Sequence, residues 1–153
     1  MRLKWFILGI LLAVSAFALA QPLIGLTKEE VLVVVKRNNR EFRRDNSVVR
    51  QQFNYLKYVN GLRTKTWIIY FSDEDICTGT KLVCDYSEYD KILKDLNETL
   101  IKVGRHQWEY NYEGGTIDVE LVKEEWYFTL REKRKKSREI SQNKEKKWKQ
   151  RIS

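Results

Sequence analysis

Reactive side chains are scarce in this chain of 153 residues, which has one histidine, His106, and two cysteines, Cys77 and Cys84. A lone imidazole cannot build a His-based metal cluster. No G-x-S-x-G elbow or other nucleophile motif accompanies it for a Ser-His-Asp or Cys-His arrangement, so His106 reads as a hydrated surface residue. No Gly-rich phosphate loop is present among the seven glycines. The six residues between the cysteines fit neither a zinc knuckle nor a redox motif. These absences argue against an enzyme, leaving an enzyme of unrecognised type as an alternative, and imply no cofactor.

Acidic clusters give no better chemistry. Asp73, Glu74 and Asp75 lack the alternate acids, central glycine and terminal glutamate of a calcium loop, so no metal site is assigned. Glu124 and Glu125 form an acid pair without the cleft that glycosidic chemistry needs. Asn97-Glu98-Thr99 matches a glycosylation acceptor but falls inside a helical pattern. A disulfide between Cys77 and Cys84 is not favoured. Seven residues of strand separate them by roughly 23 Å and send the side chains to opposite faces, whereas a bridge needs Cα atoms within about 7 Å. It would form only if the strand turned at Gly79. Both cysteines read as structural thiols, Cys84 being buried in line with Ile76 and Leu82.

What is present is first a leader. MRLKWFILGILLAVSAFALA carries Arg2 and Lys4, then an apolar run, and ends in Ala18-Leu19-Ala20, the pattern of a signal peptide cleaved after Ala20. The expected location is periplasmic or secreted. A retained anchor is the alternative, although an apolar stretch of about 16 residues is short for a bilayer. No cysteine follows the cleavage point to carry a lipid.

Charge is unevenly placed. The formal net charge of +8 is concentrated in residues 131–153, which hold 11 basic and 3 acidic residues, while residues 21–130, one α+β domain, are nearly neutral. The basic segment has only Ile140, Trp148 and Ile152 as apolar anchors, too few to offset the entropy of ordering, and reads as a disordered tail. Lys133, Arg134, Lys135, Lys136, Arg138, Lys146 and Lys147 could engage anionic lipid or polysaccharide electrostatically or simply stay hydrated; nucleic acid is an improbable partner for an exported chain.

Within the domain, Thr27-Lys28-Glu29-Glu30 has the form of a capping box, flanked by Leu26 and Val31 as a hydrophobic staple, and predicts a helix over 28–37. KRNNREFRRDNS then reads as a loop or a poorly supported helix. Alternation follows from Phe53 to Val59, an Asn60-Gly61 turn suits a two-residue hairpin, and Thr64 to Phe71 forms a central strand. SDED marks a hairpin tip before Ile76 to Cys84. Ser87 and Asp90 repeat the cap spacing, with Tyr89, Ile92, Leu93, Leu96 and Leu100 on one face, predicting a helix over 87–101. Trp108, Tyr110 and Tyr112, then Ile117, Val119 and Leu121, then Trp126, Phe128 and Leu130 make three more strands with one wet face. The expected fold is α+β: an antiparallel sheet of about six strands with two helices on one face, its element order matching a tandem α-β-β-β repeat or a chance similarity of the two halves. Not every ring can be hidden, so Tyr55, Tyr58, Tyr70 and Tyr127 are candidate contacts for a protein partner.

The opening GLTKEEVL followed by a strand meander resembles the helix-plus-sheet domains of the SmpA/OmlA outer-membrane assembly lipoproteins and, in doubled form, the β-lactamase-inhibitor-protein-like fold. With the DED turn, CDYS and KEEWYF, the chain also resembles exported domains of Gram-negative bacteria. The resemblance implies a non-enzymatic envelope domain that binds an envelope protein by contact; the lipobox cysteine of the lipoproteins is absent.

Overall fold

The computed structural model describes residues 22–47 and 53–136. The leader over 1–20 and the tail residues Arg138, Lys146 and Lys147 lie outside the described residues. In chain order the elements are α1 (Lys28–Asn38), β1 (Phe42–Arg44), β2 (Tyr55–Asn60), β3 (Lys65–Phe71), β4 (Cys77–Asp85), a single 3-10 turn (Tyr86–Glu88), α2 (Tyr89–Thr99), β5 (Ile101–Gly104), β6 (Gln107–Tyr112), β7 (Gly115–Lys123) and β8 (Tyr127–Arg134). All eight strands form one antiparallel sheet in the order β1-β2-β3-β4-β8-β7-β6-β5. Each half is a helix followed by a four-stranded meander, and the last strands of the two halves meet in the middle.

Eight strands replace the expected six because β1 and β5 are too short, at three and four residues, to show an alternating pattern. The Phe42–Arg44 stretch read as loop. β8 also continues to Arg134, so Arg131, Glu132, Lys133 and Arg134 belong to the sheet and the domain does not end at residue 130. Trp126, expected on a strand, is 78% exposed in the β7–β8 turn.

The helices begin where local chemistry satisfies their free N–H groups. Thr27 accepts the Glu30 N–H through its side chain, and the Glu30 carboxylate accepts the Thr27 N–H at 2.8 Å, so the capping box is complete. At the second helix the expected Ser87 cap is absent. Asp85 accepts the Ser87 N–H at 2.8 Å and starts the 3-10 turn, from which α2 continues without a side-chain cap of its own.

Both helices cover the same side of the sheet. Val31 and Val35 of α1 are buried in the cluster that holds Ile69, Phe71 and Phe128, and full burial of such side chains contributes about 1.5–3 kcal/mol each. Tyr89 of α2 meets Phe128 edge-on with ring centroids 5.2 Å apart, and the Trp108 indole donates to Asn97 Oδ1 at 3.1 Å. These contacts lock α2 over the second meander.

The turns depart from expectation in instructive ways. Asn60-Gly61 does not make a two-residue hairpin: β3 starts at Lys65, the positive φ falls on Arg63 at 57°, and the buried Asn60 amide closes the turn by accepting the Lys65 N–H and donating to Thr64 Oγ1. SDED does turn the chain. Asp75, at φ 58°, accepts from Asn54 Nδ2 at 2.6 Å and faces Lys28 Nζ at 3.5 Å, so this acidic corner fastens the start of α1 to the start of β2. Asn54 accordingly holds the Asp75 carboxyl below its ordinary range.

At the central seam, β4 and β8 approach closely beside Gly79, where a Cβ would stand 2.8 Å from the Glu132 backbone oxygen. Gly79→Ala is therefore expected to cost about 2 kcal/mol through overpacking, read as a fall of several degrees in the thermal unfolding midpoint by circular dichroism. An unchanged midpoint would contradict the tightness of this seam.

Candidate functional site

The register sorts every strand residue onto one of two faces. Trp67, Ile69 and Phe71 of β3 lie on the helix side, and their partners Leu82, Thr80 and Cys77 on β4 share it. Opposite them lies the face that neither described helix covers, made of rows that run from β2 across the seam to β7 or β6. One row runs Tyr55, Tyr70, Gly79, Lys133, Asp118, Glu109; the next runs Lys57, Ile68, Lys81, Arg131, Glu120, Gln107. A third, Val59, Thr66, Val83, Thr129, Val122, is largely apolar. Thr129 is completely enclosed there and its hydroxyl has no hydrogen-bond partner.

Of the four tyrosines expected to make contacts, Tyr55 and Tyr70 stand side by side on this face, and Tyr127 lies on it further along β8, 40% exposed. Tyr58 does not. It points to the helix side, 5% exposed, with its ring centroid 6.4 Å from that of Trp67. The parity of β2 dictates this: Leu56, Tyr58 and Asn60 are the buried set.

Charge on the uncovered face is divided. Lys81 and Arg131 sit directly across from each other on β4 and β8, a like-charge pairing that is unfavourable in isolation. Neither makes an ion pair among the described residues. Beyond them β7 and β6 present Asp118, Glu120 and Glu109. Burial pushes the Tyr70 phenol up, with the Arg131 charge opposing the shift; the basic centre and the tyrosine pair thus adjoin. Of the presumed polyanion contacts, Lys133 is on this face, Arg134 on the helix side donates to the Tyr112 hydroxyl at 2.9 Å, Lys135 pairs with Glu109, and Lys136 is exposed.

The two cysteines correct another expectation. Thr78 is an extra residue on β4, because Tyr70 pairs with Gly79 while the adjacent Phe71 pairs with Cys77. This bulge shifts the alternation by one, so both sulfurs face the helix side and both are buried. They are free thiols, and the strand runs through Gly79 without turning. Burial pushes the Cys77 thiol up to about 11 and the Cys84 thiol to about 12, which leaves them protonated and poorly nucleophilic at neutral pH. His106 occupies the β5–β6 turn, half-buried, and its carbonyl accepts the Leu121 N–H. Among the described residues no group of three or more His, Cys, Asp or Glu side chains is placed to hold a metal ion, and no helix is long and apolar enough to cross a membrane.

The feature that the sequence reading missed lies on the helix side of the seam. A hollow of about 180 Å³ is lined by Asn39, Phe42, Trp67, Thr80, Leu82, Leu130 and Glu132. Its one carboxyl, Glu132, accepts the Thr80 hydroxyl at 2.9 Å and has no cationic partner among the described residues. Burial raises its ionisation above the ordinary carboxyl range, the Thr80 bond opposing. Glu132 in turn helps raise Tyr110 and Cys77, after burial. The signal was visible in the sequence: Phe128, Leu130 and Glu132 continue one alternation into what looks like a charged tail.

Compared with known proteins, the chain matches no family model, no curated protein and no solved structure.

Because the folded state holds the Glu132 proton more tightly than the unfolded chain, ionisation above about pH 4.3 weakens folding. Glu132→Gln should raise the unfolding midpoint by a few degrees at pH 8 and leave it unchanged near pH 4, where the native carboxyl is also neutral. Equal midpoints at both pH values would show that the carboxyl is better solvated than its position implies.

Proposed function

We propose that this is a non-catalytic, exported domain of the cell envelope that binds a protein partner through the uncovered face of its sheet. The observation that carries the reading is the asymmetry of the two faces. Both described helices lie on one side, and the other presents adjacent Tyr55 and Tyr70 with Ile68, Val59 and Val83, and at its centre Lys81 and Arg131, which make no ion pair among the described residues. Aromatic residues and arginine are the side chains that contribute most at protein interfaces. The facing cations favour a partner that brings a carboxylate between them. The doubled helix-plus-meander order supports the resemblance to envelope domains that act by contact, and the leader supports export.

A second reading is binding of anionic lipid or polysaccharide by the basic C-terminal segment. Lys133 on the uncovered face and exposed Lys136 favour it; the engagement of Arg134 and Lys135 within the fold weighs against it. Steep loss of vesicle binding with salt, abolished by truncation after Lys136, would support it, and salt-insensitive binding would reject it.

Tyr70→Lys is expected to abolish cross-linking of the native chain to its envelope partner without lowering the unfolding midpoint, whereas Trp126→Lys, in an exposed turn off this face, should leave cross-linking intact. Equal recovery from both variants would reject the sheet face as the interface. Export itself is checked by the N-terminal sequence of the mature chain, expected to begin at Gln21. An intact Met1 in the envelope fraction would replace cleavage by anchoring.

A further inference from the structure

We propose that the hollow on the helix side of the β4–β8 seam is a binding site for a small organic ammonium ion, with Glu132 as its counter-charge and the Trp67 and Phe42 rings as its walls. The site lies on the side of the sheet opposite the proposed partner face, so it stands independently of that reading.

The argument begins with what Glu132 lacks. A carboxylate set in an apolar surrounding is costly unless paired and hydrogen-bonded, and here it receives one neutral donor, the Thr80 hydroxyl. The basic side chains on the helix side nearest along the strands are committed elsewhere: Arg134 to the Tyr112 hydroxyl, and Lys65 to Glu41 and Glu88 at 3.2 and 3.8 Å. No lysine or arginine lines the hollow. The only formal charge lining the hollow is negative, so it disfavours an anion, while a cation would supply the missing charge.

The walls narrow the ligand class. Phe42 and Trp67 pack with ring centroids 5.4 Å apart, and Leu82 and Leu130 add apolar surface. Aromatic faces beside a carboxylate attract alkylated ammonium groups through both charge and the ring quadrupole. A strongly hydrated inorganic cation would need six or more oxygen ligands (about 6–8 for calcium), and the carboxyl, the Thr80 hydroxyl and the Asn39 amide that line the hollow fall short. Size sets the upper limit: a cavity of about 150 Å³ accommodates benzene, so a hollow of about 180 Å³ suits an amine with a ring or a short alkyl chain. A free ammonium and one carried on a lysine stem present the same chemistry to this site.

The test is an NMR titration of the native chain with benzylammonium chloride, following the Trp67 indole N–H and the Thr80 and Glu132 amides. Saturable shifts confined to these groups are expected. Benzyl alcohol, which keeps the ring without the charge, should bind at least ~10-fold more weakly, and Glu132→Gln should lose a similar factor, about 1.4 kcal/mol. Since that variant is expected to be more stable, its loss of binding would not reflect unfolding, and Tyr70→Lys on the opposite face should bind as the native chain does. Tighter binding of Nα-acetyl-lysine methylamide than of benzylammonium would also support the site and would identify a protein-borne ammonium as its occupant. Absence of saturation for both amines at ~20 mM, equal binding of the alcohol, or undiminished binding by Glu132→Gln would overturn the proposal.

Discussion

The pairing of β4 with β8 is the constraint on which the molecule depends. Seven residue pairs, from Gly79 with Lys133 to Asp85 with Tyr127, join two meanders that share no other strand pairing among the described residues. Each half alone would be a twisted four-stranded sheet with one helix and a fully open inner edge. Joined, the halves make a continuous platform whose helix side is one cluster, from Val31 and Val35 through Ile69 and Phe128 to Trp108 and Ile117. The absence of a side chain at Gly79 lets the seam close.

The seam also organises charge. Alternation along β8 sends Glu132 to the helix side and Arg131 and Lys133 to the other, and the register then sets Glu132 beside Thr80 and Arg131 beside Lys81. Neither arrangement is the most stabilising available, since one buries a carboxyl with a single neutral donor and the other opposes two cations. Local conflict of this kind is where a fold concedes stability to something other than folding. Two such conflicts occur on adjacent pairs of the same seam, facing opposite ways, whereas the acidic corner at Asp75 is a fastening between α1 and β2.

Much of the architecture was legible because its signals are local. The Thr27–Glu30 box and the two-residue rhythm of Phe53 onward correspond to α1 and the longer strands directly. What escaped was non-local. β1 and β5 are strands only because a longer neighbour offers hydrogen bonds to them. The bulge at Thr78 lies beside the SDED corner held by Lys28 and Asn54, and one inserted residue reversed the inferred facing of Cys77. Asn60 closes its turn through its own amide rather than through a glycine. Glu132 was hidden by composition: among REKRKK it reads as one more solvated charge, although it lies in phase with Phe128 and Leu130. Tyr58 was misplaced because alternation gives two faces without saying which of them the helices will cover.

The order of strands carries a last implication for how copies of this molecule coexist at high concentration. Since the two halves join at their final strands, the margins of the platform fall to β1 and β5, the shortest pieces in it. A long, flat margin would template foreign backbone indefinitely. Among the described residues β1 pairs only with Tyr58 to Asn60 of β2 and β5 only with Gln107 to Glu109 of β6, so an approaching chain meets a stepped margin, bordered at β1 by Arg43 and Arg44, rather than one long flat strand.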